Sequence, residues 1–266
     1  MYKRQIEFHK LVGVEKFFLY NNNSSDDYKS TLAPYLQDGS VVLTEWDFKQ
    51  PCQREAYNHC LAHHGHEVRW LAFLDMDEFM HAVSEQETLP QALRDYEQYP
   101  ALAVHWLMFG PGNHILKPQG LVTENFHNHQ PNPNKFVKVI VNPCCVEYVN
   151  GPHSAIYKNG ALAVDENFKP VHRHSIMALP PSVNRFCINH YWTKSVEEFF
   201  GKIGRGNADS VVRYRDPIGL TLAAHAYDGA SHYSLAHFSQ PLKTALAVHE
   251  QSGLKTAEPL QILPTD

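Results

Sequence analysis

The stretch RWLAFLDMDEFM, residues 69–80, joins an apolar and aromatic run directly to three acidic residues, Asp75, Asp77 and Glu78. Such a run predicts a buried strand, so the acids follow the end of that strand. Ligands of open α/β sheets bind outside the carboxyl ends of the strands. The stretch therefore predicts a binding site at the edge of a sheet, where negative charge is concentrated.

Segments before this stretch alternate between strand-like and helix-like patterns. The apolar runs KFFLY (16–20) and SVVLTEW (40–46) predict strands. Three segments are helix-like, namely YKRQIEFHKLVGV (2–14), STLAPYLQDG (30–39) and REAYNHCLAHHG (54–65). Gly13 and Gly65 are the expected helix stops. The alternation predicts an α/β fold whose sheet contains parallel strands and is flanked by helices.

The second half of the chain is less regular. TLPQALRDYEQY (88–99) predicts a helix, and FVKVIVNPCCVEYV (136–149) is strand-like. RFCINHYWTKSVEEFFGKIGRG (185–206) reads as strand, turn and helix, with Ser195 and Glu198 spaced as a capping box. The periodicity weakens beyond Pro217. We therefore predict one α/β domain at residues 1–210 and a C-terminal extension of undefined structure at 211–266.

Composition limits the classes of function. The 266 residues carry a formal net charge of −5, so there is no basic excess and no support for nucleic-acid binding. No apolar run reaches the ~18 residues of a membrane-spanning helix, and the N-terminal segment lacks a signal-peptide pattern. We expect a cytoplasmic protein and leave peripheral membrane association open. Five cysteines without CxxC spacing predict free, mostly buried thiols.

The two aspartates of the opening stretch stand one residue apart. Asp75 and Asp77 can flank a turn and offer oxygens to a hard divalent cation, while leaving coordination positions for a diphosphate. The alternative is a solvated loop, since this spacing is common by chance. The preceding apolar run favours the metal interpretation, because a strand in the core fixes the position of its end.

Several blocks of the sequence stand in a fixed order. The first three are IEFHKLVGVEKFFLYNNNSSDD (6–27), QREAYNHCL (53–61) and WLAFLDMDEFM (70–80). The others are HWLMFGPGNH (105–114), KVIVNP (138–143), PHS (152–154) and NHYWTKSVEEFFGKIGRG (189–206). In this order they resemble the glycosyltransferase family 92 enzymes and their bacterial relatives in the family 2-like group. The resemblance implies a GT-A fold, a Rossmann-like nucleotide-sugar half joined to an acceptor half. The implied reaction is metal-dependent sugar transfer from a nucleotide donor, expected to be a UDP-sugar, to a glycan or other hydroxyl acceptor, with inversion.

The resemblance also implies roles for single residues. Asp75 and Asp77 match the DxD that holds Mn²⁺ or Mg²⁺ against the donor diphosphate, and Glu78 matches the acid that commonly follows. His190 matches a further metal ligand, and an imidazole slightly favours Mn²⁺. We therefore expect its ring within about 8 Å of Asp77. Lys194 would face the diphosphate.

Other positions keep two interpretations. His153 matches a family position that contacts metal or acceptor, or it is a structural histidine. Lys202 and Arg205 form either a solvated helix end or a phosphate clamp. The loop NNNSSDD (21–27) is a plain turn or reaches the nucleoside. His63 and His64 match no block, and we expect them to be solvated.

Inversion requires a carboxylate that takes the proton of the acceptor hydroxyl from across the site. Four acids after the DxD are candidates, namely Glu124, Asp165, Glu166 and Asp216. Glu124 is preferred because the resemblance often shows an acid in a similar apolar setting.

One departure from the family concerns the first strand. Relatives begin with an apolar strand that precedes the helix corresponding to YKRQIEFH, whereas this chain starts at Met1 within that region. We therefore expect a sheet that lacks its first strand, in which KFFLY pairs with VVLTEW and its other edge is open or covered by something else. Two alternatives to an active transferase follow, a non-catalytic sugar-binding remnant of the fold and a metal-dependent phosphohydrolase. The phosphohydrolase would need a second metal site.

Overall fold

A computed structural model of the chain describes residues 2–49, 52–205, 216–231, 233 and 235–255. The helices are α1 (Tyr2–Leu11), α2 (Tyr28–Gln37), α3 (Gln53–His64), α4 (Leu89–Ala92), α5 (Val122–Asn125), α6 (Val196–Arg205), α7 (Pro217–Ala224) and α8 (Ser239–Lys255). The strands are β1 (Phe17–Asn21), β2 (Val41–Glu45), β3 (Leu71–Ala72), β4 (Glu78–Ala82), β5 (Ala101–Met108), β6 (Val137–Val141), β7 (Val146–Gly151), β8 (Ser154–Tyr157) and β9 (Phe186–His190).

The main sheet has the strand order β3-β6-β5-β9-β4. Its β5–β9 pair is parallel and its other pairs are antiparallel. The parallel pair β1–β2 and the antiparallel hairpin β7–β8 form two smaller sheets. The predicted mixed α/β architecture, with helices flanking a sheet that contains parallel strands, is therefore confirmed.

The register of the main sheet places several polar side chains on one face. Lys138 of β6 lies opposite Val104 of β5, and Glu78 of β4 lies opposite His190 of β9. Met108, the last residue of β5, also pairs with His190. Because side chains alternate between the faces of a strand, Lys138, Glu78 and His190 share the face that carries Trp106. Three strand ends thus meet at His190.

The strand before the acids is shorter than its sequence predicts. Only Leu71 and Ala72 of the apolar run pair in the sheet, with Val141 and Ile140. The chain then turns, and the Glu78 N–H donates to the Asp75 carbonyl at 3.1 Å before β4 begins. Asp75 and Asp77 therefore lie in a turn between two strands, and Glu78 is already the first residue of the second.

Strand β1 pairs with β2, as predicted, and the pair is parallel. It runs from Phe17 opposite Val41 to Asn21 opposite Glu45. In the part of the chain that the structure describes, β1 pairs with β2 alone. Helices α1 and α2 cover this pair with a small core of their own, whose buried members are Ile6, Leu32, Tyr35 and Val41.

Two predicted helix boundaries are confirmed by their hydrogen bonds. Gly13 follows α1 at φ 98° and donates its N–H to Lys10 at 3.0 Å. A Cβ here would lie 2.8 Å from Pro90, so both the backbone and the close contact require glycine. Before α6, the Ser195 hydroxyl accepts from the Glu198 N–H at 3.2 Å and donates to the Glu198 carboxylate at 2.9 Å.

The C-terminal region packs into the main core where it is described. Leu235 and Leu242 are buried in the same cluster as Phe8 and Phe79. The rings of Phe8 and Phe238 lie 5.0 Å apart, edge to face. Helices α7 and α8 were not predicted, because their apolar residues follow no clear period.

The five cysteines are free thiols, as predicted, and three of them are buried. Cys144 and Cys145 lie in a 3-10 turn, Pro143–Cys145, rather than in a strand. Among the described residues, no helix is both long enough and apolar enough to cross a membrane.

Glu166 fixes the entry to β9. Its buried carboxylate accepts the backbone N–H groups of Asn184, Arg185 and Phe186 at 2.8, 2.8 and 3.0 Å, and the Ser182 hydroxyl as well. Hydrogen bonds to a charged acceptor are about twice as strong as neutral ones. This acid, a candidate base by sequence, therefore has a structural role that accounts for its burial.

We expect Glu166→Ala to lower the free energy of unfolding by about 3 kcal/mol or more, because three buried backbone N–H groups lose their carboxyl acceptor. Urea denaturation monitored by circular dichroism measures this. Glu147→Ala, at an exposed position of β7, is the control and should stay within about 0.5 kcal/mol of the parent. Equal losses in the two variants would contradict this role of Glu166.

Candidate active site

Asp75 is held in place by two side chains from other elements. Its Oδ1 accepts from Gln53 Nε2 of α3 and its Oδ2 from Lys138 Nζ of β6, both at 3.0 Å. Burial alone would raise the pKa of Asp75, but the Lys138 ammonium outweighs it and lowers the pKa below its ordinary value. About a third of the Asp75 side chain, 37%, stays exposed. It is therefore an ionised group that a ligand can reach.

Glu78 is fully buried beside the same lysine. Its Oε2 accepts the Asp75 N–H at 2.9 Å and lies 3.5 Å from Lys138 Nζ. No described residue gives Oε1 a hydrogen-bond partner. Burial raises the pKa of Glu78 well above its ordinary value; Lys138 only partly offsets this effect, and the nearby Asp75 charge adds to it. Glu78 is thus a neutral acid over a wider pH range than usual.

Lys138 is the cation on which both acids depend. Its side chain is 0% exposed. Burial opposes its charge, but the ionised Asp75 carboxylate beside it outweighs that effect and raises the pKa of Lys138 above its ordinary value. An unpaired buried ammonium would cost several kcal/mol, on the order of 3 to 5 when a partner is removed. The charge is therefore tied to the turn that carries Asp75.

Asp77 lies between an ammonium and an imidazole. Its Oδ2 accepts from Lys202 Nζ of α6 at 2.5 Å, and its Oδ1 lies 3.5 Å from His190 Nε2. Burial would raise the pKa of Asp77, but His190 and Lys202 together hold it far below its ordinary value. Lys202 also donates to the Trp192 carbonyl at 3.3 Å. The expected proximity of His190 and Asp77 is thus present.

His190 and His153 flank one tryptophan. The Trp106 ring lies 4.5 Å from the His190 ring and 4.9 Å from the His153 ring, in edge contacts. His153 Nδ1 lies 2.9 Å from the Val137 carbonyl, which orients that ring. The Nδ1 of buried His190 has no hydrogen-bond partner among the described residues. His153 therefore belongs to the same cluster, although its role stays a prediction.

The predicted catalytic acids have hydrogen-bond partners outside the Asp77 cluster. Glu124 of α5 pairs with Lys243 of α8 at 2.5 Å, and this bond lowers the pKa of Glu124. Asp165 is buried, and its Oδ1 accepts the N–H groups of Asn167 and Lys169, both at 2.9 Å. That geometry is typical of a turn that a carboxylate stabilises. Neither acid contacts Asp77 directly.

Three further candidates are placed as follows. Asp216 caps α7 by accepting the Gly219 N–H at 2.9 Å. Lys194 has φ 52° in the turn between β9 and α6. Arg205 is the last residue of α6, and the structure describes its backbone but not its side chain. The proposed roles of these residues stay predictions.

The asparagine loop after β1 is tied to the end of β2. Asn22 Nδ2 donates to the carbonyls of Trp46 and Phe48 at 2.6 and 2.9 Å. Asn23 Nδ2 donates to Asp47 at 2.8 Å. These hydrogen bonds hold the asparagine loop in a turn within the protein. Phe48, beside this turn, is 56% exposed.

Sequence reasoning missed Gln53 and Lys138. The signal for Lys138 was present, because a single lysine interrupts the apolar strand FVKVIV. A charged residue inside a buried strand requires a partner. Asp75 and Glu78 follow β3, which pairs with the strand that carries Lys138. Gln53 gave no such signal, since a polar residue in the first turn of a helix is ordinary.

Two potential metal donors of the cluster lie close together. Asp77 and His190 present one oxygen and one nitrogen close together, and Asp75 lies in the same turn. Among the described residues, no cluster of three His, Cys, Asp or Glu side chains could hold a metal ion by itself. Cations that act on nucleotides are typically bound by one or two carboxylates plus substrate phosphates, so two or three protein ligands suffice.

The raised pKa of Glu78 makes stability depend on pH. The unfolded chain releases this proton near its ordinary pKa of 4.5, whereas the folded chain keeps it to higher pH. The folded state binds more protons between these two values, so Glu78 reduces stability as the pH rises through that window.

Glu78→Gln should remove the loss of stability that Glu78 causes as the pH rises. We expect the variant to gain stability relative to the parent by up to about 1.4 kcal/mol per pH unit above the ordinary pKa. Urea denaturation at a series of pH values from 5 to 8 measures it, with the exposed Glu85→Gln as control. Parallel pH profiles for the parent and Glu78→Gln would show that Glu78 ionises normally.

Comparison with known proteins places the chain among glycosyltransferases. The model of glycosyltransferase family 92 matches residues 2–203. A rice (Oryza sativa subsp. japonica) family 92 protein is 27% identical over 77% of this chain and 34% of its own length. Family 92 proteins of Ricinus communis and Arabidopsis thaliana are each 24% identical, over 74% and 79% of this chain and 34% and 36% of their own lengths.

The chain thus spans about a third of the length of these curated relatives. The family match covers about three quarters of the 266-residue chain in one continuous block, from α1 into α6, and includes every member of the acid, lysine and histidine cluster. This chain belongs to glycosyltransferase family 92.

Proposed function

We propose that this chain transfers a sugar from a nucleotide-sugar donor, a UDP-sugar, to a hydroxyl of a glycan or similar acceptor, with inversion. The observation that carries the proposal is the ionised, buried Asp77 between His190 and Lys202, where three strand ends meet. Family membership supports the transfer of a sugar. The mixed sheet supports a GT-A fold with the donor at this edge.

Mn²⁺, or Mg²⁺ in its place, would be held by Asp77 and His190 with Asp75 beside them. When bound, the cation would neutralise charge on the departing diphosphate. Lys202 occupies only one oxygen of Asp77, and His190 faces the other. The arrangement therefore leaves an oxygen and an imidazole nitrogen facing each other, which suits Mn²⁺ slightly better than Mg²⁺.

The lysines of the cluster have different tasks in this proposal. Lys138 is fully buried and fixes Asp75, so it acts on the ligand only through that aspartate. Lys202 keeps 35% of its side chain exposed and lies at the rim of the cluster. It can move from Asp77 to a phosphate oxygen without crossing the core. Lys194, two residues after Trp192, is proposed as a second contact for the diphosphate.

Glu124 remains the proposed general base. A base must be ionised at neutral pH, and Lys243 keeps the pKa of Glu124 low. Its side chain is 26% exposed, so an acceptor hydroxyl can reach it. Asp165 is the second choice, because one of its oxygens already accepts two backbone N–H groups.

Asp77→Asn should abolish the effect of Mn²⁺ on nucleotide binding. We expect Mn²⁺ to tighten UDP binding to the parent at least about tenfold, or about 1.4 kcal/mol, and to leave the variant unchanged. Calorimetric titration of UDP with and without Mn²⁺ gives both values. Asp38→Asn, which removes a partly exposed carboxylate paired with Lys10, is the matched control and should retain the effect.

Circular dichroism must show that Asp77→Asn is folded, because the variant leaves Lys202 and His190 without their anion. An equal response to Mn²⁺ in the parent and Asp77→Asn would overturn the assignment of the cation to this cluster.

A further inference from the structure

The last strand of the main sheet has a free edge beside the acids. In the part of the chain that the structure describes, β4 pairs with β9 alone. On that side the Asp77 carbonyl accepts the Tyr191 N–H at 2.9 Å. Because the peptide groups of a strand point alternately to its two sides, those of Glu78 and Met80 point to the free edge. Groups on such an edge need partners, or they are open to pairing with another chain.

Two side chains of α1 meet this edge. Gln5 Nε2 donates to the Asp75 carbonyl at 2.6 Å and to the Glu78 carbonyl at 3.0 Å. Both partners can only accept, so the nitrogen of the carboxamide faces them and uses both of its hydrogens. His9 lies one helical turn after Gln5 on the same face, and its Nε2 accepts the Met80 N–H at 3.2 Å.

The orientation of His9 is fixed by the same helix. Its Nδ1 lies 2.9 Å from the Gln5 carbonyl, which can only accept, so Nδ1 carries the proton and Nε2 the lone pair. Burial lowers the pKa of His9 to about 4, so the ring is neutral at neutral pH and keeps that lone pair for Met80. Gln5 and His9 thus supply hydrogen bonds that a neighbouring strand would otherwise make along β4.

We propose that Gln5 is a positioning residue of the sugar-transfer site. It holds the backbone of the acid turn, residues 75–78, in the place from which Asp75 and Asp77 reach the cation. The inference rests on the proposed function, because this turn carries the proposed cation ligands. It makes α1 a part of the site, although no side chain of α1 is proposed to touch the substrate.

The contact of Gln5 differs in kind from the other contacts of the acid turn. Three other side chains bind the carboxylates of the turn, namely Gln53, Lys138 and Lys202. Gln5 instead binds the carbonyls at its two ends, and the Asp75 carbonyl also accepts the Glu78 N–H at 3.1 Å. Without the carboxamide, the peptide units on both sides of Asp77 lose a common anchor. The carboxylates would then keep their partners but not their fixed positions.

The test compares Gln5→Met with a control on the same helix. Methionine has a similar length and no donor, and position 5 is only half-buried, so we expect the variant to fold. Ile6→Val is the matched control, because Ile6 packs in the small core that α1 shares with α2. Both variants weaken contacts of α1, but only Gln5→Met removes the donor to the acid turn. Circular dichroism checks that both are folded.

Hydrogen exchange without metal measures the acid turn directly. Mass spectrometry follows one peptide that covers residues 75–80 and a reference peptide that covers 137–141 of β6. We expect Gln5→Met to accelerate exchange of the first at least about tenfold and to leave the reference unchanged, since local opening depends on local contacts. Gln5→Glu, whose ionised side chain accepts but cannot donate, should also accelerate it. Ile6→Val should keep the parental ratio of the two peptides.

Calorimetric titration of UDP with and without Mn²⁺ measures the consequence for the site. We expect Mn²⁺ to tighten UDP binding at least about tenfold in the parent and in Ile6→Val, and less than about threefold in Gln5→Met. Binding of UDP without Mn²⁺ should be equal in all three.

Three results would overturn the inference alone. They are equal exchange of the acid turn in the parent and Gln5→Met, a parental response to Mn²⁺ in Gln5→Met, and the same changes in Ile6→Val as in Gln5→Met. Absence of any response to Mn²⁺ in the parent would overturn the proposed function, and this inference with it.

Discussion

The contacts of buried Lys138 with Asp75 and Glu78 are the interaction on which the candidate site of this fold depends. The ammonium is 0% exposed, and its partners are supplied by the turn between β3 and β4. A buried charge is tolerated only with good partners, since the loss of one costs about 3 to 5 kcal/mol. The turn is therefore fixed in position by the core of the sheet.

This constraint explains the unusual course of the chain at the acids. The strand leaves the sheet after Ala72, and Asp75 reaches Lys138 and Gln53 instead of continuing the ladder. Glu78 then begins β4 opposite His190, which brings Asp77 beside that histidine. One lysine and one strand register thus define a site whose residues come from four separate parts of the sequence.

The sequence predicted those features that depend on neighbouring residues. The pairing of β1 with β2, the stop at Gly13 and the capping box of Ser195 and Glu198 follow from apolar runs and local hydrogen bonds. The acids follow an apolar run that does contain a strand, with Asp75 and Asp77 in the turn after β3 and Glu78 at the start of β4. The proximity of His190 to Asp77 was predicted from the family resemblance, and no local sequence pattern indicated it.

The remainder depended on contacts that periodicity does not encode. Lys138 and Asp75 are 63 residues apart, and the sequence around either residue does not indicate that the other is its partner. Strand β3 is short although its sequence is apolar, and the chain that leaves it carries Asp75 to that contact. Asp165 and Glu166 looked like free acids in the sequence, yet both accept backbone N–H groups at chain turns. Helix α8 is held by packing against α1, and its own pattern is weak.

The central claim is that the cluster around Asp77 carries out sugar transfer. Incubating the chain with a panel of UDP- and GDP-sugars in the presence of Mn²⁺, and measuring released nucleotide, tests it most directly. We predict release from at least one UDP-sugar, dependent on Mn²⁺ and lost in Asp77→Asn. Release at the same rate by Asp77→Asn, or no release from any donor by the folded chain, would contradict the account.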